Sequence, residues 1–322
     1  MKPKIIITGA SGFIGTNLIK FLEPDYNILA IDRHELKYSS SKIKFSQLDL
    51  LNLERLIEVF QEFEPLHVVH LAARTDLDGK NLDDYKDNTT AVDNLLTAIE
   101  LANSVETVIV SSSMLVCSVG HIPLDMKTYS PTTLYGRSKV MGEKLVRAKL
   151  QVLPRTCIVR PTSIWGPYFE APYRNFFSHV LSKRFFYFGK LCDRKTYGYV
   201  ENTIGQILGI LRDQTWNSGD VFYLGDTSPM SIDEFAQLIV SEAKLPVPIT
   251  FSPYVIKITA LIGDILKTFK IGFPMTSFRL KNIRTRNVIQ DNLAVRFNVN
   301  PEISNALGVK KTLTWLSNNE KG

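Results

Sequence analysis

Residues 4–15 read KIIITGASGFIG, and the fold turns on that stretch. Its first part, KIIIT (4–8), is a short β-branched run of the kind found in strands covered on both faces. The lysines of MKPK ahead of it superficially resemble the start of a signal peptide. The apolar run stops at Thr8-Gly9, however, short of the roughly 7–15 residues such a segment needs, so it reads as a buried first strand. FIGTNLIKFL (13–22) then resumes as a helix. Between the two, Gly9, Gly12 and Gly15 are spaced G-x-x-G-x-x-G, one residue off the dinucleotide fingerprint G-x-G-x-x-G. The physical logic is shared. Gly9 permits the tight turn, Gly12 lets a pyrophosphate approach the backbone, and Gly15 lets the helix pack close to the sheet. The helix N-terminus adds free N–H groups and a positive dipole for the anion.

The pattern repeats outward. NILAI (27–31), IKFSQL (43–48), HVVHL (67–71), TVIVSS (107–112) and TCIVR (156–160) read as further strands buried on both faces. LNLERLIEVFQEF (51–63) and the long YKDNTTAVDNLLTAIELA (85–102) read as helices between them. Strand and helix alternating at this spacing predict a doubly wound parallel α/β sheet. Past residue 165 the rhythm breaks. Aromatic and basic residues cluster in 165–189 and prolines recur at 246, 248, 253 and 274, so a second region is expected to pack on the first and close the site from above.

The second strand ends at Asp32, where a carboxylate accepts hydrogen bonds from an adenosine ribose and repels a 2′-phosphate. That favours NAD over NADP, although Arg33 follows and could hold a 2′-phosphate. Asp49 is placed to reach an adenine amino group or to cap the next helix. Further on, TTLYGRSKVMGE (132–143) sets Tyr135 four residues before Lys139, one turn apart on one helix face. A lysine there can lower the tyrosine's pKa and make it a base near neutral pH.

With 322 residues, 44% apolar and 22% charged, the chain suits one large or two modest soluble domains. Cys117, Cys157 and Cys192 are odd in number and isolated, and the five histidines show no ligand spacing, so neither a disulfide framework nor a metal site is expected. A reducing, cytoplasmic setting is the default. The formal charge of +6 is open to several readings, and the basic stretch RLKNIRTR (279–286) lacks the aromatics of a single-strand nucleic-acid binder. Its Arg279, Lys281, Arg284 and Arg286 read as a solvated face or as contacts to a phosphorylated substrate. PYVIKITALIGDILKTFKIGF (253–273) is interrupted by Lys257, Asp264, Lys267 and Lys270, too often for a transmembrane helix, so no membrane insertion is expected. It reads as an amphipathic packing helix, with a membrane-surface helix as the alternative.

Gly9, Gly12, Gly15, Tyr135 and Lys139 together resemble the short-chain dehydrogenase/reductase superfamily, and more narrowly its extended NAD-dependent sugar-nucleotide epimerases and dehydratases. HLAA (70–73), Asn88, SSS (111–113) and RPTSIWGP (160–167) match further landmarks. The resemblance implies a Rossmann sheet over 1–166, with 196–225 returning to it, and a smaller, mainly C-terminal substrate cap from 167–195 and 226–322. It implies Ser113, Tyr135 and Lys139 as the catalytic set, with Lys139 helping to bring Tyr135 from near 10 to about 7, a change of roughly 4 kcal/mol. For the cofactor it adds Phe13, Ile14, Leu50, Leu71, Ala72, Ala73, Asn88, Ser111 and Pro161. For a nucleoside-diphosphate sugar it points to Arg74, Asn175, Arg194, Lys195 and Arg279, besides Ser113. Met114 and Leu115 stand where the 4,6-dehydratases carry Asp-Glu, so dehydration is not expected. Cys117 and Ser118 replace the usual Tyr-Gly. An epimerase is the leading expectation, with a keto-sugar reductase or sugar dehydrogenase using the same residues as the alternative. A non-catalytic dinucleotide sensor is disfavoured because Tyr135 and Lys139 are both present. A homodimer through a helix pair that includes the Tyr135 helix is implied by the resemblance alone.

Overall fold

The computed structural model describes residues 2–121, 123, 125–269, 275–291 and 293–319. Its elements run β1 (Lys4–Thr8), α1 (Phe13–Leu22), β2 (Asn27–Asp32), β3 (Ile43–Gln47), α2 (Leu53–Phe63), β4 (His67–His70) and α3 (Thr90–Leu101). They continue as β5 (Thr107–Ser111), α4 (Leu134–Lys149), β6 (Arg155–Pro161), β7 (Ser163–Trp165), α5 (Tyr173–Leu181), β8 (Tyr197–Tyr199), α6 (Val200–Arg212) and β9 (Val221–Leu224). α7 (Ile232–Glu242), α8 (Pro253–Thr268), α9 (Ser277–Arg284) and α10 (Asn305–Asn319) complete the order. Seven strands form one parallel sheet in the order β3-β2-β1-β4-β5-β6-β9.

All six expected strands are there, and the physical reason is visible in their burial. The inner residues of β1, Ile5, Ile6 and Ile7, are fully buried because helices cover both faces of the sheet. α2 shows how such a cover forms: Leu56, Val59, Phe60 and Phe63 recur at helical spacing and are buried, while Asn52 caps its first turn by accepting from the Arg55 N–H. α1 and α6 lie against each other on one face, and α2, α3 and α4 follow on the other.

Three expectations need correction. β3 is not buried on both faces: it is the sheet's edge, and Lys44, Phe45 and Gln47 are exposed because no strand lies beyond it. The segment 85–102 is not one helix. Leu82–Asn88 is a 3₁₀ turn, and Thr89 has left helical geometry before α3 begins. Lastly, β7, β8 and β9 are absent from the strands read from sequence. β9 is a four-residue run that pairs with β6, and β7 and β8 are three-residue strands that form a separate parallel pair.

The second region shares its core with the first, as expected. One buried cluster runs from Ile5 and Val159 of the sheet to Trp165, Phe177, Tyr199 and Phe235. Trp165 lies 4.8 Å, ring centre to ring centre, from Phe235 and 5.0 Å from Tyr199. The stretch expected to pack as a helix at 253–273 does form α8, but it packs on one side only, through Ile256 and Ala260. Residues 270–273 of that stretch, with Lys270, and Pro274 lie outside the described residues, as does the Lys267 side chain. Among the described residues no helix is long and apolar enough to cross a membrane.

Candidate active site

From β1 the chain steps outward to β2 and β3; from β4 it steps the opposite way to β5 and β6. The crevice of a doubly wound sheet opens between two such strands, beyond their C-terminal ends. Here those ends carry Gly9 and the Leu71–Ala73 segment. Gly9 has φ +71°, and a Cβ on it would stand 2.4 Å from the Ala72 nitrogen. A Cβ on Gly15 would stand 2.1 Å from the Gly9 oxygen. Neither site can hold a side chain. Gly12, the N-cap of α1, is different: its Cβ would meet only the Gly9 oxygen, at 3.1 Å, and would otherwise project into open space.

That space is a cleft of about 860 Å³. At one end it is walled by Gly9, Gly12, Phe13, Ile14 and Gly15, with Asp32, Arg33, Asp49 and Leu50 beside them. Leu71, Ala72, Ala73, Pro161, Ser111, Ser113, Tyr135 and Lys139 line it as well. Asp32 is steadied by two backbone donors, the N–H of Ser11 at 3.0 Å and of His34 at 2.9 Å. Arg33 is ion-paired with Asp87, which raises the guanidinium's pKa. Asp49 does not cap α2. Its side chain accepts from the Leu51 N–H at 2.9 Å, and Asn52 holds the cap.

α4 carries Tyr135 and Lys139. Thr133 caps it by accepting from the Gly136 N–H at 2.9 Å, which fixes Tyr135 in the first turn. Lys139 Nζ donates to the Ser111 carbonyl at 3.0 Å. One turn further, Glu143 is buried and accepts from Ser112 Oγ at 2.6 Å, Tyr129 OH at 3.0 Å, and Arg160 Nε and Nη2 at 2.8 and 2.9 Å. Asn88 lies behind the cleft, not in its lining. Its amide donates to the Arg74 carbonyl and to Ser138 Oγ, both at 2.9 Å, and accepts from the Arg74 N–H, so it ties the chain after Ala73 to α4.

The electrostatics depart from the simple expectation. Burial pushes the Tyr135 hydroxyl above its ordinary range, and Ser113 pulls it the other way. Lys139 is not what moves it here. Burial instead lowers Lys139 itself to about 8, with Glu143 opposing. His70, fully buried at the end of β4 and bonded to Thr8 Oγ1 at 2.7 Å, is pushed to about 3 by burial and by Lys139.

At the other end, Lys195, Asn287, Tyr173 and Ser163 line the cleft. Burial lowers the Lys195 pKa. Of the other substrate residues read from sequence, Arg74 pairs with Asp76 and lies over the Tyr85 ring, Arg194 pairs with Glu234, and Asn175 and Arg279 are exposed, all outside the cleft lining. Asn287 and Tyr173 were not singled out. They stand far from any glycine or Tyr–Lys signal, and only the folding of the second region brings them in.

The family model described as "NAD dependent epimerase/dehydratase family" matches residues 5–225. The N-acetyl-alpha-D-glucosaminyl-diphospho-ditrans,octacis-undecaprenol 4-epimerase of Escherichia coli O157:H7 is 24% identical over 258 residues, 79% of this chain and 76% of that one. The UDP-glucose 4-epimerase of Vibrio cholerae is 28% identical over 270 residues, covering 77% and 80%. A solved UDP-glucuronic acid 4-epimerase from Bacillus cereus, in complex with NAD, shares the fold with a TM-score of 0.76 over 99% of this chain and 98% of that one, at 20% identity. The family match runs from β1 past β9, more than half the chain, and takes in the glycine cradle, Ser113, Tyr135 and Lys139: the chain belongs to the NAD-dependent epimerase/dehydratase family of extended short-chain dehydrogenase/reductases.

Proposed function

We propose that the enzyme binds NAD and inverts a hydroxyl-bearing carbon of a nucleoside-diphosphate sugar by way of a keto-sugar. One observation carries the reading: Ser113, Tyr135 and Lys139 line the same cleft as the glycine cradle. The cradle suits the cofactor, since Gly12 leaves room where a Cβ would project and the α1 N-terminus faces the gap. When bound, NAD supplies the hydride acceptor, and its positive ring favours an ionised Tyr135.

The chain's own groups do the rest. Asp32 takes the adenosine ribose, and Arg33, held by Asp87, is drawn away from a 2′-phosphate, which supports NAD over NADP. Lys139 takes the nicotinamide ribose. Tyr135 removes the proton from the sugar hydroxyl, and Ser113 holds that hydroxyl in line. Met114 and Leu115 sit in the same wall and cannot titrate, which disfavours loss of water. Lys195 receives the diphosphate, with residues 167–195 and 226–322 acting as the cap over a sheet domain of 1–166 and 196–225. The enzyme pairs as a homodimer through a helix pair that includes α4.

A panel of UDP-, GDP-, CDP- and dTDP-sugars with catalytic NAD tests this. The expected outcome is an inverted sugar at constant absorbance at 340 nm. With NAD in excess, a continuous rise in absorbance means net oxidation and removes the epimerase reading. NAD should bind several-fold more tightly than NADP, and Asp32→Ala should narrow the gap; tighter NADP binding by the unmodified chain overturns the cofactor assignment.

A further inference from the structure

The apolar exposure of this protein is concentrated in one place. On α8 and just beyond it, Tyr254, Ile258, Leu261, Ile265 and Phe269 recur at helical spacing, and each is between 57% and 78% exposed. Phe278 of α9 and Val247 and Ile249 ahead of α8 are exposed to a similar degree. The opposite side of α8 already has its partners, with Ile256 and Ala260 packed in a cluster with Phe188, Met275 and Leu280. A helix that is apolar on both sides needs cover on both, and a patch of this kind marks an interaction surface.

The same segment carries the charge. Residues 247–291 hold seven basic and two acidic side chains, a net +5 out of +6 for the whole chain. Lys257, Lys281 and Arg284 line a cavity of about 550 Å³ along the α8–α9 seam, next to Leu261. Among the described residues none of these three forms an ion pair. Of the acidic pair, Asp264 is engaged by the Ser277 N–H.

We propose that α8 and α9 form a docking platform for the surface of an anionic phospholipid bilayer, with α8 lying in the interface. Exposed apolar side chains enter the acyl boundary while Lys257, Lys281 and Arg284 meet the headgroups, the combination that holds interfacial helices. At 16 residues α8 is about 24 Å long, too short for a hydrocarbon core of about 30 Å, so it lies on the membrane and does not span it. A second copy of this chain fits the patch poorly, because a two-fold contact brings two such basic clusters into one interface. The platform also adjoins the sugar end of the cleft: α9 runs through Thr285 and Arg286 straight into Asn287, which lines it.

Flotation of the full chain with vesicles tests this, comparing equal parts phosphatidylglycerol and phosphatidylcholine with phosphatidylcholine alone. The protein should float with the anionic vesicles, and high salt should weaken the association. Each charge removed in Lys257→Gln, Lys281→Gln or Arg284→Gln should lower the partition about fivefold. Ile258→Asp with Ile265→Asp should abolish flotation, with circular dichroism and melting unchanged. No flotation at low salt, or equal flotation of the parent and the Ile258→Asp, Ile265→Asp variant, overturns the proposal. So does a sedimentation experiment in which that variant turns a dimer into a monomer, which assigns the face to a second copy. Binding that requires an acidic protein and fails on anionic vesicles overturns it as well.

Discussion

The cleft and the α8–α9 face break the ordinary rule of burial in opposite directions. In the cleft, groups that want water are hidden: Lys139 is only 4% exposed and Tyr135 only 7%. On α8, groups that shun water are shown, with Tyr254 78% exposed. Each arrangement costs stability by itself, the first through desolvation and the second through unburied apolar surface. A folded chain keeps such features where something else makes use of them, which is why the proposed chemistry and the proposed contact are assigned to these two regions. The core of the sheet obeys the rule, as the isoleucines of β1 show.

The comparison can be broken most sharply at Tyr135. Tyr135→Phe keeps the ring and its packing but removes the proton acceptor, so turnover should fall by about 10²–10⁴ with NAD binding close to normal. A variant with parental turnover on the true substrate sinks the proposed mechanism.

Lys139 offers the next largest effect, and it has two signs. Burial lowers its pKa to about 8 from an unfolded value near 10.5. Below pH 8 both states are protonated and the cost of burying the charge is fully present. Between about 8 and 10.5 the unfolded chain holds a proton that the folded chain does not, so stability rises with pH across that window. Lys139→Met should therefore lose activity and cofactor affinity yet be more stable than the parent at pH 7, by about 1–3 kcal/mol. The advantage should shrink toward pH 10. Melting curves at pH 7 and pH 10 check this; a variant that melts lower than the parent at pH 7 shows that the lysine's bonds outweigh its burial.

The smallest effect is expected on α8. Ile265→Ser changes a side chain that is mostly exposed in the isolated chain, so its stability should stay within about 0.5 kcal/mol of the parent. A loss of 2 kcal/mol or more in denaturant titration means the face is covered within the protein in solution, and the contrast between the two regions disappears.

Legibility in the sequence also differs between them. The sheet could be read because its strands are short, apolar and regularly spaced, and part of the cleft lining because the glycines and Ser113 follow strand ends while Tyr135 and Lys139 lie in the first two turns of α4. The break at Thr89 could not be read, since helical propensity changes little from residue to residue there. The pairing of Arg33 with Asp87 and of Arg194 with Glu234 was equally hidden. Both join residues far apart in the chain, and an exposed arginine has many possible partners. The upward pull of burial on Tyr135 was hidden for a related reason. Spacing shows that a lysine is near, but not how much water the fold takes away.

Glu143 gives the site its mechanical tolerance. It hangs α4 on β5 through Ser112 and on β6 through Arg160, with Tyr129 as a third tether. All of these bonds meet on two oxygen atoms, so the helix has a fixed zero point two turns from Tyr135. Creep of the helix along the sheet by even a fraction of its 5.4 Å pitch parts a buried carboxylate from a buried guanidinium, at about 3–5 kcal/mol. The proposed base is thus indexed like a tooth against a pawl, its helix held at one carboxylate two turns away.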